Sequence, residues 1–575
     1  MNKSFHYLKG YKKQLILGPL FKILEAIFEL IVPFIVAFII NEGLKTNDTG
    51  FVLGYGFLIV GLGVLGLFST MVCQYFASVA SQGFGTKLRD AIYKKIFKIS
   101  KEDLESIGKG NIQTIITNDV NQMQLVVAML IRLVIRAPFL VIGALICSFI
   151  IDVEIGLIFL GVTVLIAIVL FVFIKITSKR YLKVQESMDQ ITLKTSEGLD
   201  GTRVIRAFNK EEETIENYEK VISDRKQKAV GIDIINALLN PIVFAIINFA
   251  VILIIYFGGF KIGVGTLESG DVIALINYLN QILVALVVVI NLVVIFTKGF
   301  ASKKRIDKFL TLKEIENNGK IGKLDINRGE NIIEFKNVSF SYNDDETYKV
   351  INNVSFAVKK GETIGIVGGT ASGKTTLLNL IERFYQPTEG QILYKGNLID
   401  EFELKNYRNE IAYVTQKPSL INGTIKENLV FGSDFEEFEV KEALDISSAL
   451  NFVEEKENKL EEEILESGKN FSGGQKQRLS ISRGLLKKSE ILILDDSFSA
   501  LDYITERKIR KNIFEFSKTK NLTTFIVSQR INSLKFCDKI LVLDQGVLID
   551  SGTHDELLSK CELYKEIYCS QERSE

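Results

Sequence analysis

The chain has 575 residues, too many for a single hydrophobic core, so at least two domains are expected. Its 69 basic and 69 acidic residues cancel, which argues against a nucleic-acid partner, since binders of nucleic acid are clearly basic. A mean hydropathy of +0.21 with 24% charged residues requires apolar and charged residues to be segregated along the chain, and the five cysteines show neither pairing nor CxxC spacing, so no disulfide framework or zinc site is expected.

The first segment, MNKSFHYLKGYKKQ, has neither a signal-peptide cleavage pattern nor an Arg/Ser-rich transit pattern. Heavy use of Ile, Lys and Asn fits a bacterial chain. A membrane span needs about 20 apolar residues. Six stretches meet that length, near 15–42, 51–78, 125–151, 153–177, 235–259 and 271–299. Their connections alternate: those near 43–50, 152 and 260–270 are short, whereas 79–124 and 178–234 are long and rich in Lys and Arg. The positive-inside rule puts the N-terminus, both long connections and everything after the sixth span in the cytoplasm. The long connections read as helical extensions of the spans. About ten residues beyond the bilayer rise about 15 Å, so tips near Gly110–Asn121 and Ser196–Phe208 are expected to meet a soluble domain.

Glu25 and Glu29 share one face of the first span, and Glu29 falls near mid-bilayer. An intramembrane carboxylate faces protein or water. Two readings stand: a cation-attracting wall of a substrate cavity, or an interhelix pair with Arg132 or Arg136. Pro33 and Pro241 are expected to kink spans one and five.

After residue 312 the composition changes. A polar, Gly/Asn-containing stretch at 313–331 reads as a linker between a membrane domain, 1–312, and a soluble α/β domain, 332–575. A strand is predicted at 332–342. The strand ETIGIVG then runs into Gly368-Gly369-Thr370-Ala371-Ser372-Gly373-Lys374-Thr375, the phosphate-loop spacing. Glycines let backbone N–H groups wrap phosphate oxygens, and the helix opening at Lys374 adds its positive end. Lys374 suits the outer phosphates of a nucleotide, and Thr375 suits Mg²⁺. The run Ile491-Leu492-Ile493-Leu494 reads as a buried parallel strand ending at Asp495, a second Mg²⁺ ligand, with Asp496 following.

Between these elements lies Phe471-Ser472-Gly473-Gly474-Gln475. Here the chain resembles the ATP-binding cassette (ABC) exporters, in the half-transporter form with six spans fused to one cassette. The resemblance runs in the family's order over essentially the whole length. Tyr342, Gln416 within YVTQKPSLINGTIKENL, Ser499-Ala500-Leu501-Asp502 and GTHDELL at 552–558 add to it. It implies a head-to-tail dimer with ATP and Mg²⁺ between the phosphate loop of one cassette and the signature of the other. Tyr342 would stack on adenine. Gly368 to Thr376 would hold the phosphates. Gln416 would sense Mg²⁺ and the attacking water. Phe471, Ser472, Gly473, Gly474, Gln475 and Asp502 would complete the partner's site. The tips of the long connections resemble the family's coupling helices.

Three positions depart from the family. Phe471 stands where Leu is commoner. Asp496 stands where a glutamate base is usual, and a displacement of about 1 Å costs about 10²-fold in rate. Gln529, in the strand-end sequence TTFIVSQR, stands at the switch histidine, and glutamine cannot carry imidazolium charge. The chain's two histidines, His6 and His554, are elsewhere. Together Asp496 and Gln529 resemble the degenerate-site subunit of a heterodimeric exporter, whose partner would carry Glu and His. The reading is a multi-pass protein of the bacterial plasma membrane, exporting hydrophobic or amphipathic compounds such as drugs or lipids. The alternatives are a homodimeric exporter with slow hydrolysis and an ATP-gated channel or regulatory membrane ATPase.

Overall fold

The computed structural model describes residues 3–46, 48–315, 330–342 and 348–572. Most of the expected linker, 316–329, lies outside the described residues. The chain forms two compact units: Met1–Phe97 with Gly108–Leu312, and Lys98–Ile107 with Lys313–Glu575.

The first unit is helical, because in hydrocarbon a backbone satisfies its polar groups only within helices or closed barrels. Its elements are α1 (Lys12–Phe38), α2 (Thr49–Ile96), then, after α3 (Lys101–Ile107) of the other unit, α4 (Lys109–Thr114), α5 (Val120–Arg132), α6 (Arg136–Ile151), α7 (Val153–Asp200), α8 (Thr202–Ala207), α9 (Glu211–Val264) and α10 (Ser269–Thr311). Among the described residues, six helices are long and apolar enough to cross a membrane, each containing one of the expected spans. The α7 helix has 48 residues, a length of about 70 Å against a hydrocarbon core of about 30 Å, so half of it lies beyond the bilayer. Pro19 and Pro33 are contained within α1, and Pro241 within α9, without interrupting either helix. The third span is interrupted: a turn at 133–135 separates α5 from α6, where the apolar run 125–151 reads as continuous. Small residues allow close packing, since Ala26, Ala144, Ala250 and Ala274 are fully buried around Phe159 and Tyr278.

Beyond the spans, α10 is tied to the start of α5 by a buried carboxylate. Asp119 accepts from Arg305 Nε at 2.8 Å and Nη2 at 2.5 Å, and from the buried Ser302 hydroxyl at 2.8 Å. The first tip differs from the expected Gly110–Asn121. The stretch grouped with the soluble unit is Lys98–Ile107, because Gly108, at φ +80°, ends α3 and turns the chain before residue 110. At the second tip, α8 buries none of its residues.

The second unit continues with β1 (Asn331–Phe340), β2 (Ile351–Lys359), β3 (Thr363–Val367), α11 (Lys374–Ile381), β4 (Glu389–Tyr394), β5 (Asn397–Leu398), α12 (Leu404–Asn409), β6 (Ile411–Val414), β7 (Gly423–Thr424), α13 (Ile425–Val430), α14 (Glu437–Ile446), α15 (Leu450–Glu454), β8 (Glu463–Ile464), α16 (Gly473–Leu486), β9 (Ile491–Asp495), α17 (Tyr503–Lys520), β10 (Thr523–Val527), β11 (Lys539–Asp544), β12 (Val547–Gly552), α18 (His554–Lys560) and α19 (Glu562–Glu572). Six strands form the central sheet in the order β12-β11-β3-β10-β9-β6, with β12 antiparallel at one edge and the others parallel. Strands β3, β9 and β10 are buried along their whole length, as their unbroken apolar runs require. An antiparallel sheet, β2-β1-β4-β5, packs Phe335, Phe356 and Val338 into one core with Ile364, Ile493 and Phe525 of the central sheet. Within this unit α3 rests on α11 and the segment after it: Lys101 Nζ donates to Asn379 Oδ1 at 3.3 Å, and Tyr385 donates to Glu105 Oε2 at 3.3 Å.

Candidate functional site

In an open parallel sheet, ligands bind beyond the carboxyl ends of the strands. Four adjacent strands, β3, β10, β9 and β6, deliver the predicted residues there. The phosphate loop follows β3, Gln529 follows β10, Asp495 and Asp496 end β9, and Gln416 follows β6.

The loop after β3 has the shape its glycines allow. Ala371 (φ +64°) and Gly373 (φ +95°) are left-handed, which turns successive N–H groups toward one concavity at the start of α11. A Cβ on Gly368 would meet Leu543 O at 2.2 Å, and one on Gly373 would meet Val350 O at 2.9 Å, so packing demands glycine at both. A Cβ on Gly369 would meet nothing within 4 Å, which leaves open space beside the loop. The Lys374 ammonium donates to Gly368 O at 2.9 Å, Gly369 O at 2.6 Å and Ser372 Oγ at 3.2 Å. Burial pushes its pKa below the ordinary lysine value, opposed by the charges of Asp496 and Asp495. Tyr342 stands at the same helix, its hydroxyl 3.0 Å from Thr376 Oγ1 and its ring edge-on to Phe340 and Tyr385.

The carboxylates form a connected set. Thr375 Oγ1 donates to Asp495 Oδ1 at 3.3 Å, and the Tyr413 hydroxyl donates to Asp495 Oδ2 at 2.9 Å. Gln416 Nε2 donates to Asp496 Oδ2 at 3.2 Å. Burial raises the pKa of both aspartates, with Tyr413 and Thr375 opposing the rise at Asp495 and Gln416 opposing it at Asp496. Asp496 adopts φ +46°, a left-handed conformation that aspartate and asparagine accept more readily than glutamate. Thr375, Asp495 and Gln416 offer hydroxyl, carboxylate and amide oxygens, the hard donors that Mg²⁺ takes. The loop and the carboxylates therefore fit a Mg-nucleotide.

Gln529 is exposed at the end of β10. Its backbone carbonyl accepts from Gln571 Nε2 at 2.7 Å, and Gln571 Oε1 accepts from Ile531 N at 2.9 Å. One carboxamide of α19 thus brackets the switch position. The signature is built separately. Ser472 caps α16, accepting from Gln475 N at 3.3 Å while Gln475 Oε1 accepts from Ser472 N at 2.9 Å. Phe471 is buried beneath it, with Lys456 Nζ 5.1 Å from its ring centroid. Ser472 and Gly473 are exposed, and a Cβ on Gly474 would come within 3.2 Å of Ala500 O. Asp502 caps α17 through Thr505 N at 2.9 Å.

The structure brings Tyr342, Gly368 to Thr376, Asp495, Asp496 and Gln416 into one cluster, with Gln529 just past the carboxyl end of the central strand β10. It places Phe471 to Gln475 and Asp502 together at the starts of α16 and α17, linked by Gln477 Oε1 accepting from Ala500 N at 3.0 Å. Sequence reasoning missed Tyr413, Gln477 and Gln571. Tyr413 lies three residues before Gln416 in a strand beside β9, the one signal that points to it.

The ABC transporter transmembrane region family matches residues 15–286, and the ABC transporter family matches residues 351–499. An uncharacterized ABC transporter ATP-binding protein, YfiB, of Bacillus subtilis is 34% identical over 574 residues, covering 99% of this chain and 98% of the relative. An ATP-dependent lipid A-core flippase of Vibrio parahaemolyticus is 26% identical over 572 residues, covering 98% and 97%. The fold is that of a bacterial Atm1-family ABC exporter solved with ATP bound, at a TM-score of 0.82 and 23% identity over 97% of this chain and 98% of that one. The chain belongs to the ABC transporter family, as a multi-pass half-transporter in which an N-terminal transmembrane domain precedes one cassette whose ATP hydrolysis is coupled to transport.

Proposed function

We propose that this chain is the degenerate-site half of a heterodimeric exporter of amphipathic compounds in the bacterial plasma membrane. The membrane domain, 1–312, and the cassette, 332–575, are joined by a linker at 313–331, with the N-terminus and the cassette in the cytoplasm. The pairing of Asp496 with Gln529 at one phosphate loop carries this reading. Asp496 is a short carboxylate, already hydrogen-bonded by Gln416, on a left-handed backbone. Gln529 supplies a neutral amide at the switch. The relatives that are lipid A-core flippases support an amphipathic cargo.

Each residue has a stated role. The loop N–H groups and Lys374 hold the phosphates, and Tyr342 faces the base. Thr375, Asp495 and Gln416 hold Mg²⁺, which when bound neutralises phosphate charge. Tyr413 fixes the orientation of the Asp495 carboxylate. Asp496 is placed to orient water, but with a shorter reach than glutamate. Ser472 to Gln475, at the start of α16 with Ser472 and Gly473 exposed, and Asp502, at the start of α17, are offered to the site of a second half-transporter chain.

The test uses the purified heterodimer at saturating Mg-ATP. Asp496→Asn is expected to leave the ATPase rate within about twofold, because that residue belongs to the slow site. Ser472→Arg is expected to reduce it by about 10² or more, because a bulky cation fills the place of phosphate in the fast site. This chain alone is expected to hydrolyse slowly. Equal damage from both substitutions, or full-speed hydrolysis by this chain alone, refutes the asymmetric assignment.

A further inference from the structure

Ionisable side chains are costly inside a bilayer and face protein or water rather than lipid. Four of them meet in the membrane unit: Lys22, Glu25 and Glu29 on α1, and Arg136 at the start of α6. Lys22 Nζ donates to Glu25 Oε2 at 2.5 Å, and Arg136 Nη2 donates to Glu29 Oε2 at 2.8 Å. The interhelix pair of the sequence reading is formed, with Arg136 as its partner, and Glu29 also lines a cavity. Arg132 donates instead to Ser78 Oγ at 3.1 Å.

The two pairs differ in what they face. Lys22 and Glu25 are 9% and 15% exposed and pair with each other, with Glu25 Oε1 also 3.8 Å from Arg136 Nε. Glu29 is 39% exposed and Arg136 20%, and both line a cavity of about 390 Å³. The interruption of the third span falls directly before Arg136. Irregular backbone at membrane depth is tolerated only where it is buried in protein or lines a wet cavity. Asn277, Asn280 and Gln281 of α10 line the same cavity, and valine, proline and leucine make up the rest of its wall. Arg136 Nε, a donor, and Gln281 Oε1, an acceptor, are buried without hydrogen-bond partners among the described residues.

We propose that this cavity receives the headgroup of a zwitterionic amphiphile, with Glu29 taking its cation and Arg136 its anion. The inference rests on the exporter reading and names its class of cargo. The argument is one of charge balance in a low dielectric. Lys22, Glu25, Glu29 and Arg136 form one connected cluster of zero net charge, and a singly charged cargo would leave it with an uncompensated charge, which is costly in such surroundings. A neutral cargo gains nothing from the pair. A zwitterion exchanges one ion pair for two and leaves the net charge of the cluster at zero. Gln281, whose Oε1 accepts no hydrogen bond among the described residues, lines the same cavity as an acceptor for the cationic end, and the apolar wall suits hydrocarbon.

The test measures binding to the dimeric transporter in nanodiscs, using acyl-labelled fluorescent lipids that differ only in headgroup. The probes are zwitterionic phosphatidylethanolamine, anionic phosphatidylglycerol and cationic trimethylammonium propane, with tail-free phosphoethanolamine as competitor. The zwitterionic lipid is expected to bind about tenfold more tightly than either singly charged lipid. Glu29→Gln is expected to shift the preference to the anionic lipid, and Arg136→Gln to the cationic one. The exchange of both, Glu29→Arg with Arg136→Glu, is expected to regain the zwitterion. The same lipid order in all four proteins overturns the proposal. Displacement by phosphoethanolamine at concentrations matching the lipid overturns the amphiphile assignment in favour of a water-soluble zwitterion. If the single variants do not assemble, the charge exchange and Asn280→Leu decide the matter. The former is expected to keep the preference and the latter to narrow it, and failure of both expectations overturns the proposal. Trinitrophenyl-ATP binding on the same samples reports the cassette separately, so a failed headgroup preference is distinguishable from a failed nucleotide site.

Discussion

Lys374 spends its three protons on its own loop, two on carbonyls and one on the Ser372 hydroxyl. Those bonds keep the ammonium at the mouth of the concavity, and phosphate oxygens can replace them one for one. Lys374→Ala is therefore expected to weaken nucleotide binding by at least about tenfold, the loss of more than one charged hydrogen bond. Tyr342→Ala is expected to weaken it by about tenfold through lost stacking on the base. Titration with trinitrophenyl-ATP checks both, and unchanged affinity in the two variants removes the proposed site. At this scale the sequence was most readable. Lys374, Thr375 and Asp495 each sit in a short pattern whose chemistry is local. Gln477 and Gln571 were not readable, and Tyr413 only through its place three residues before Gln416, because each acts on a residue 23, 42 or 82 positions away through strand or helix neighbours.

Among elements, the clearest example of long-range order is the Asp119 junction. Arg305 grips both carboxylate oxygens and Ser302 adds a third bond, so α10 and the π-turn that opens α5 are fixed together. Asp119→Ala removes the carboxylate that accepts from Arg305 and from the buried Ser302 hydroxyl, and is expected to cost about 1–3 kcal/mol in the membrane unit. Thermal unfolding in detergent should show that loss, with Ser302→Ala causing a smaller one. An unshifted transition would mean the junction contributes nothing. The six spans and the strands β3, β9 and β10 follow from unbroken apolar runs, which hydropathy reads well. The interruption before Arg136 does not, because Leu133, Val134 and Ile135 are as apolar as their neighbours. The strand order is equally invisible in the sequence, since it depends on crossovers between distant segments. The boundary at Gly108 is carried by one left-handed glycine in a polar stretch, a weak signal in the sequence.

At the scale of the whole molecule, two units with separate cores are expected to unfold in separate transitions. The two transitions should respond differently to pH. Glu382, at the end of α11, is buried in the cassette, and that burial raises its pKa to about 7 from 4.5 against the pull of Lys487 and Arg408. A raised carboxyl means the folded cassette binds more protons than the unfolded chain between those values. Stability is full below about 4.5 and declines as pH climbs to about 7, by on the order of 3 kcal/mol. Glu382→Gln is expected to abolish that component of the slope. Calorimetry from pH 5 to 8 checks it, and equal slopes in wild type and variant would refute it.

The bracket that Gln571 places around Gln529 and Ile531 also has a kinetic side. The Ile531 amide is held by a side chain from the last helix rather than by a neighbouring strand. Its exchange with solvent deuterium is therefore governed by how often α19 lifts away, not by opening of the sheet. A single amide near the switch becomes a clock for the docking of the chain's C-terminal helix. Affinity tags fused after residue 572, or truncations before it, would change the clock's rate before they changed the fold.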